Sequence, residues 1–305
     1  MRLKKKNNIG MIIGFLAPAV IIFLLIFLYP ICRTIIMSFY NIESVTAPTS
    51  EWIFTGTENY ERLFTTGIFK TAMYNLWKIW IYGGLLVMSL SLLFAVILTS
   101  GIRGKKFFRA VIYLPNIVSA VALATMWLQY VYSANFGLLK NFFGMLGMEK
   151  MAAFPWLSAD NKFLALLLAY CFGMVGYHML IWMSGIERIG PEYFEAAKID
   201  GANQLKQFRY ITAPLLKGVL KTNLTMWSVS TSAFFVWSQL FSSVTAGEST
   251  IVPVQYMYSQ VFGAGNTATV RNSGYAAAIG VVLCICVVVI FRTINFLVKD
   301  DDLEF

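Results

Sequence analysis

Little in this chain could do covalent chemistry, but one polar island could do mechanical work. Residues 187–221 hold it: Glu195-Ala196-Ala197, then Asp200 and Gly201, then Ile211-x-x-Pro214. Two adjacent alanines let a helix approach another backbone closely, and a glycine permits a tight turn. Glu195 offers an acid to a basic partner residue. A short helix of this kind, lying along a membrane surface, can fill a groove on a soluble protein. A generic amphipathic loop helix would share the acid and the alanines. The combined spacing through Ile211 and Pro214 favours a coupler.

Enzymatic constellations are missing from the sequence. One histidine cannot build a metal cluster. The stretch from Gly101 to Lys106 has the wrong glycine spacing for a phosphate loop and no Ser or Thr after the lysine. The chain is therefore expected to carry no catalytic residue, no metal and no cofactor of its own.

A second set of residues could line a path for solute. An uncompensated polar group in hydrocarbon is unfavourable, so polar residues inside apolar runs need a reason. Ser228, Thr231, Ser232, Phe235 and Gln239 recur at three and four residues and share one helix face. Trp227, Ser230, Phe234 and Trp237 lie on adjoining faces. Hydroxyls and amides beside aromatic rings suit a sugar, which presents both hydroxyl edges and C–H faces. Small hydroxyl residues also let membrane helices pack together, so either reading fits any one residue, but the face as a whole is expected to line the path. Tyr177, His178 and Asn116 complete the candidates. For His178, a neutral imidazole bonded to another helix is the plainer account than proton coupling, and contact with substrate stays open. Asn116 follows Pro115, so it could line the path or satisfy carbonyls freed by a kink.

The elements that must position these groups follow from composition. Of 305 residues, 58% are hydrophobic and 13% charged, and mean hydropathy is +0.67. A soluble domain would carry about a quarter charged residues, so this is an integral membrane protein. Six apolar windows, 7–32, 79–102, 110–139, 163–186, 222–247 and 272–291, each reach the roughly 20 residues a spanning helix needs. Runs such as Val20–Leu28 are apolar on every face, which excludes barrel strands. A charge-free run at 249–270 is rich in Ser, Thr, Gln and Asn and carries Pro253, so it is expected as an outer connection. The fold class is thus all-α and polytopic, with six transmembrane helices.

Charge orients the bundle. With the amino terminus inside, sixteen of the 24 Lys and Arg residues fall on the cytoplasmic side, from Arg2 and Lys4–Lys6 through Arg103–Arg109 to Arg292 and Lys299. Both termini are then cytoplasmic. The net charge of +9 is accounted for by those flanks, leaving no solvated basic face for nucleic acid. The expected division is 1–68 (first span and outer loop), 69–295 (core, with the coupling loop at 187–217) and 296–305 (cytoplasmic tail). Within the loop, Pro191 opens one short helix, Gly201 interrupts or ends it, Leu205, Phe208 and Ile211 mark a second, and Pro214 starts the next span.

These motifs resemble the permeases of sugar-type ABC importers, of the maltose and glycerol-3-phosphate uptake kind. The likeness covers about residues 69–295. Beside the Glu195-Ala-Ala…Gly201 loop, it is carried by Arg109-Ala-Val-Ile-Tyr-Leu-Pro115, the stretch Gly176 to Gly185 and Phe208-Arg-Tyr-Ile-Thr-Ala-Pro214. The spacing of Pro18 and Pro30 is closer to the first permease of such a pair. Two departures stand out: Ala213 replaces the usual leucine, and Thr245–Thr250 replaces a Gly-Gly-Pro turn. The resemblance implies a type I permease in the bacterial inner membrane, with a second homologous permease, two ATPase subunits that bind ATP and Mg, and an external solute-binding protein. It implies a sugar or oligosaccharide substrate and alternating access. The rivals are a secondary transporter or channel, which would want intramembrane charges, and a membrane-embedded enzyme, which would want clustered acids or histidines.

Overall fold

The computed structural model describes residues 9–242, 248–263 and 271–298. Arg2, Lys4–Lys6, Lys299 and the first half of the Thr245–Thr250 turn lie outside the described residues. Among the described residues, four helices are long and apolar enough to cross a membrane: α1 (Met11–Met37), α3 (Gly67–Thr99), α7 (Lys162–Ile186) and α12 (Ser273–Leu297). Between them lie α2 (Glu58–Thr65), α4 (Lys105–Ile117), α5 (Ala120–Val131) and α6 (Leu138–Met145). After α7 come α8 (Pro191–Ile199), α9 (Lys217–Ser232), α10 (Val236–Ser242) and α11 (Pro253–Phe262). Among the described residues the only strands are Tyr40–Asn41 and Ile53–Phe54, an antiparallel pair joining Tyr40 to Phe54 and Asn41 to Ile53.

Two of the six expected spans differ from a single straight helix. The third window is a bent pair, α4 and α5, meeting at 98°. Pro115 removes one backbone donor near the end of α4. Val118 and Ser119 then leave helical backbone, and the Ser119 hydroxyl accepts the Ala122 N–H at 3.3 Å to restart the helix as α5. The fifth window is broken at residues 233–235 into α9 and α10, so neither piece meets the spanning criterion. Here the hydroxyls of Ser228, Thr231 and Ser232 bond back to the carbonyls of Leu224, Trp227 and Val229, each at 2.7 Å. Side chains that compete for helix carbonyls weaken and bend the ladder. The hydropathy windows carry no trace of that competition. The 249–270 run contains α11, whose 10 residues are too few to cross.

The chain divides into two compact units. The smaller comprises Met1–Thr66 and Met257–Val282. Asparagines organise it: Asn59 donates to the carbonyls of Ser38 and Tyr40, both at 2.9 Å, and Asn272 caps α12 by accepting the Tyr275 N–H at 2.8 Å. Asn272 also donates to Asn41 at 2.8 Å, tying the cap to the hairpin.

The larger unit comprises Gly67–Tyr256 and Leu283–Phe305, and α7 is its axis. Sixteen of the 25 residues of α7 are buried, against α3, α4, α9 and α10. Two glycines one turn apart admit the bent pair. A methyl group on Gly176 would overlap the Ile112 carbonyl oxygen and stand 2.7 Å from Tyr113 Cα, and one on Gly173 would press Leu123 at 3.0 Å. Gly173 also accepts a hydrogen bond from Asn116 Nδ2 at 3.3 Å, so glycine spacing and amide together seat α4 on α7.

Candidate functional site

The loop after α7 is an exposed tip on a fixed base. At the base, a Cβ on Gly185 would meet Val219 Cγ2 at 2.5 Å and Leu216 Cδ2 at 2.9 Å, so the end of α7 and the start of α9 are in close contact. Met179, Trp182, Met183, Ile186 and Leu216 form a buried cluster around that contact. Thr212 is buried and Ile211 half-buried, whereas Pro214 is exposed where the chain turns into α9.

Above the base, α8 begins with Pro191 in its first turn and Glu192 as that turn's acid, which favours the helix dipole. It ends as sequence reasoning expected, at Gly201. The Ala202 N–H reaches the Ala197 carbonyl at 2.8 Å and the Gly201 N–H reaches Lys198 at 3.1 Å, with Gly201 at φ +73°. This pair of bonds is the Schellman arrangement, which requires a left-handed residue at that position. Asn203 then caps the second loop helix, Gln204–Gln207, by accepting the Lys206 N–H at 2.9 Å, and a π turn at Phe208–Thr212 carries the chain onward.

The tip is uncovered. Glu195, Ala196 and Asp200 are exposed and Ala197 is half-buried. Ile199 is 87% and Leu205 74% exposed, the two large apolar side chains that the acid-Ala-Ala pattern did not single out. An acid, small residues and two bare aliphatic side chains on one short elbow can grip a soluble surface.

The expected path residues divide sharply by location. Trp227, Thr231, Phe234 and His178 are buried, at 0–2% exposure, and belong to the interior of the larger unit. Trp227 Nε1 donates to the Trp80 carbonyl at 2.9 Å, and Tyr170 packs on Trp227 and Phe234 with ring centroids 5.5 and 4.6 Å apart. Ser228, also buried, accepts from Trp80 Nε1 at 2.9 Å. Shared helical spacing put these side chains on related faces. Tertiary packing then turned those faces toward α3 and α7. Asn116, Tyr177 and Phe235 are half-buried and Gln239 is exposed. Ser228, Thr231 and Ser232 edge an apolar recess of ≈ 30 Å³ between α3, α9 and α12, and Ser228 with Thr225 and Val229 also edges a larger apolar one of ≈ 160 Å³ against α12.

His178 is held across helices. Its Nδ1 lies 2.8 Å from Asn223 Oδ1, and Asn223 Nδ2 donates to the Val219 carbonyl at 3.2 Å. The second bond fixes the amide orientation, so Nδ1 carries the proton and donates. Among the described residues Nε2 has no protein partner. Asn223 was not anticipated: an asparagine in an apolar run gives no hint of which helix it will meet. Asn75 is the other omission. Its Nδ2 lies 2.9 Å from the Ile251 carbonyl, 3.2 Å from Ser249 and 3.4 Å from Glu248, pinning the connection after α10. Among the described residues no three His, Cys, Asp or Glu side chains come together as a metal site.

Comparison with known proteins gives consistent results. Residues 88–299 match the model of the binding-protein-dependent transport system inner membrane component family. The diacetylchitobiose uptake system permease protein NgcF of Streptomyces coelicolor is 27% identical, over 96% of this chain and 83% of its own length. The arabinooligosaccharides transport system permease protein AraP of Bacillus subtilis is 30% identical, over 90% of this chain and 84% of its own. Among solved structures, a chain of a bacterial ABC transporter that imports the acidic polysaccharide alginate superposes with a TM-score of 0.80 over 96% of both chains. It is 19% identical and shares the fold.

Proposed function

This chain belongs to the inner membrane components of binding-protein-dependent transport systems, and we propose that it forms one half of a heterodimeric pore that two ATPase subunits drive through the 187–217 loop. The observation that carries this reading is the exposed α8 tip, with Glu195, Ile199 and Leu205 bare, standing on the closed Gly185–Leu216–Val219 base. A force on the tip is delivered to α7 and α9 together. A second homologous permease completes the pore, and an external solute-binding protein delivers the cargo. ATP and Mg belong to the ATPase subunits.

The cargo is a sugar or oligosaccharide, on the strength of the diacetylchitobiose and arabinooligosaccharide systems to which the chain is similar. We assign the path to the less buried members of the candidate set, Asn116, Tyr177, Phe235 and Gln239. Trp227, Ser228, Thr231 and Phe234 stand behind them as packing. Both termini lie in the cytoplasm, and transport proceeds by alternating access as the ATPases close and open.

Purification of the chain with its untagged neighbours tests the assembly, and a co-eluting ATPase is the expected result. Replacing Glu195 and Gly201 together is expected to abolish uptake of the sugar bound by the cognate binding protein while the chain still inserts. Undiminished uptake would contradict the coupling role.

A further inference from the structure

Contacts at three levels join α7 to α9 above the loop. Nearest the loop is the Gly185 contact with Leu216 and Val219. Next comes the hydrogen bond between His178 Nδ1 and Asn223 Oδ1 at 2.8 Å. Last is Tyr170, whose ring meets Trp227 at a tilt and Phe234, inside the break at residues 233–235, edge-on. The first contact is apolar packing, and the third adds a side-chain hydrogen bond between Tyr170 and Thr231 to its aromatic packing. The middle contact is the cross-helix hydrogen bond nearest the loop. A neutral donor and acceptor, both side chains at 0% exposure, lose this cross-helix hydrogen bond if either helix shifts along the other. Asn223 is also tied to its own helix through Val219, the residue that closes the loop base.

We infer that the His178–Asn223 bond is the rivet that makes α7, the loop and α9 a single lever, so that motion at α8 arrives undiminished at the α9–α10 break. Both are positioning residues and neither touches cargo. The inference rests on the ATP-coupled reading above, and it assigns this chain's lone histidine a role that neither proton coupling nor substrate contact provides.

The test uses the assembled transporter in lipid vesicles, with Cys32, Cys171, Cys284 and Cys286 replaced by alanine. Ala233→Cys, at an exposed position in the break, serves as the reporter. Its labelling by a water-soluble maleimide is timed with and without ATP plus vanadate. In this parent, ATP is expected to change the labelling rate by about tenfold. His178→Leu and Asn223→Leu should each lose that change while the complex still hydrolyses ATP. His178→Asn should regain it, because the asparagine amide nitrogen is attached to Cγ just as Nδ1 is. A change that survives in both leucine variants, or that His178→Asn does not restore, overturns the rivet. A parent with no ATP response overturns the ATP-coupled reading instead. If the leucine variants do not insert, joining His178→Cys to Asn223→Cys with a short bis-maleimide decides. A joined pair that keeps the response supports the rivet, and one that loses it shows that the helices must slide.

Discussion

Trp80 and Trp227 are locked together in both directions. Trp227 Nε1 donates to the Trp80 carbonyl at 2.9 Å, while Trp80 Nε1 donates to Ser228 Oγ, one residue along α9, also at 2.9 Å. The indole of Trp227 is seated against Gly83 and Gly84, where an added Cβ would approach the ring to 3.0 and 2.8 Å. Two indole N–H groups, which hydrocarbon cannot satisfy, thus satisfy each other's helices.

Trp227→Phe keeps most of the ring and loses one donor, so a loss of about 1 kcal/mol is expected. Trp227→Ala removes a side chain at 0% exposure and should cost about 3–5 kcal/mol. Thermal unfolding of the purified chain in detergent should rank the two variants in that order. Equal losses would mean that the hydrogen bond outweighs the packing.

Gly176→Ala forces α4 away from α7, because the new methyl meets the backbone of Ile112 and Tyr113, which cannot rotate aside. A destabilisation of about 1–3 kcal/mol is expected. Gly173→Ala meets the movable end of Leu123 and should cost less. The same melting experiment compares them, and the reverse order would refute the assignment of Gly176 as the docking point.

Gly201 has nothing within 4 Å of an added Cβ, so any effect there is conformational. At φ +73°, Gly201→Ala should cost about 1 kcal/mol and Gly201→Asn less, since asparagine tolerates the left-handed region. Uptake and ATPase co-purification should therefore fall for alanine and recover in part for asparagine. An asparagine variant worse than alanine would mean that the surface of the tip, rather than its turn, is being read.

Asn75→Ala removes the donor shared by three carbonyls of the 248–251 segment. Hydrogen exchange at residues 248–252 should accelerate about tenfold or more, as expected when an anchored connection opens locally. Exchange unchanged from the parent would leave Ser238, which donates to the Thr250 carbonyl at 2.6 Å, as the sufficient anchor.

The sequence by itself determined what local physics controls. Long apolar runs announced α1, α3, α7 and α12. Pro191 and Gly201 marked the ends of α8 because helix termini are set by backbone conformations and orphan N–H and C=O groups within a few residues. The acid-Ala-Ala spacing located the loop for the same reason. Tertiary structure alone decided which way each helix faces. Ser228 and Gln239 share a face by spacing, yet one is buried against Trp80 and the other is exposed. The break at residues 233–235 and the choice of Asn223 as partner for His178 were equally out of reach. They depend on hydroxyls and amides whose competing partners are identified only once the helices are packed. Hydropathy counts how apolar a segment is and carries no record of its neighbours.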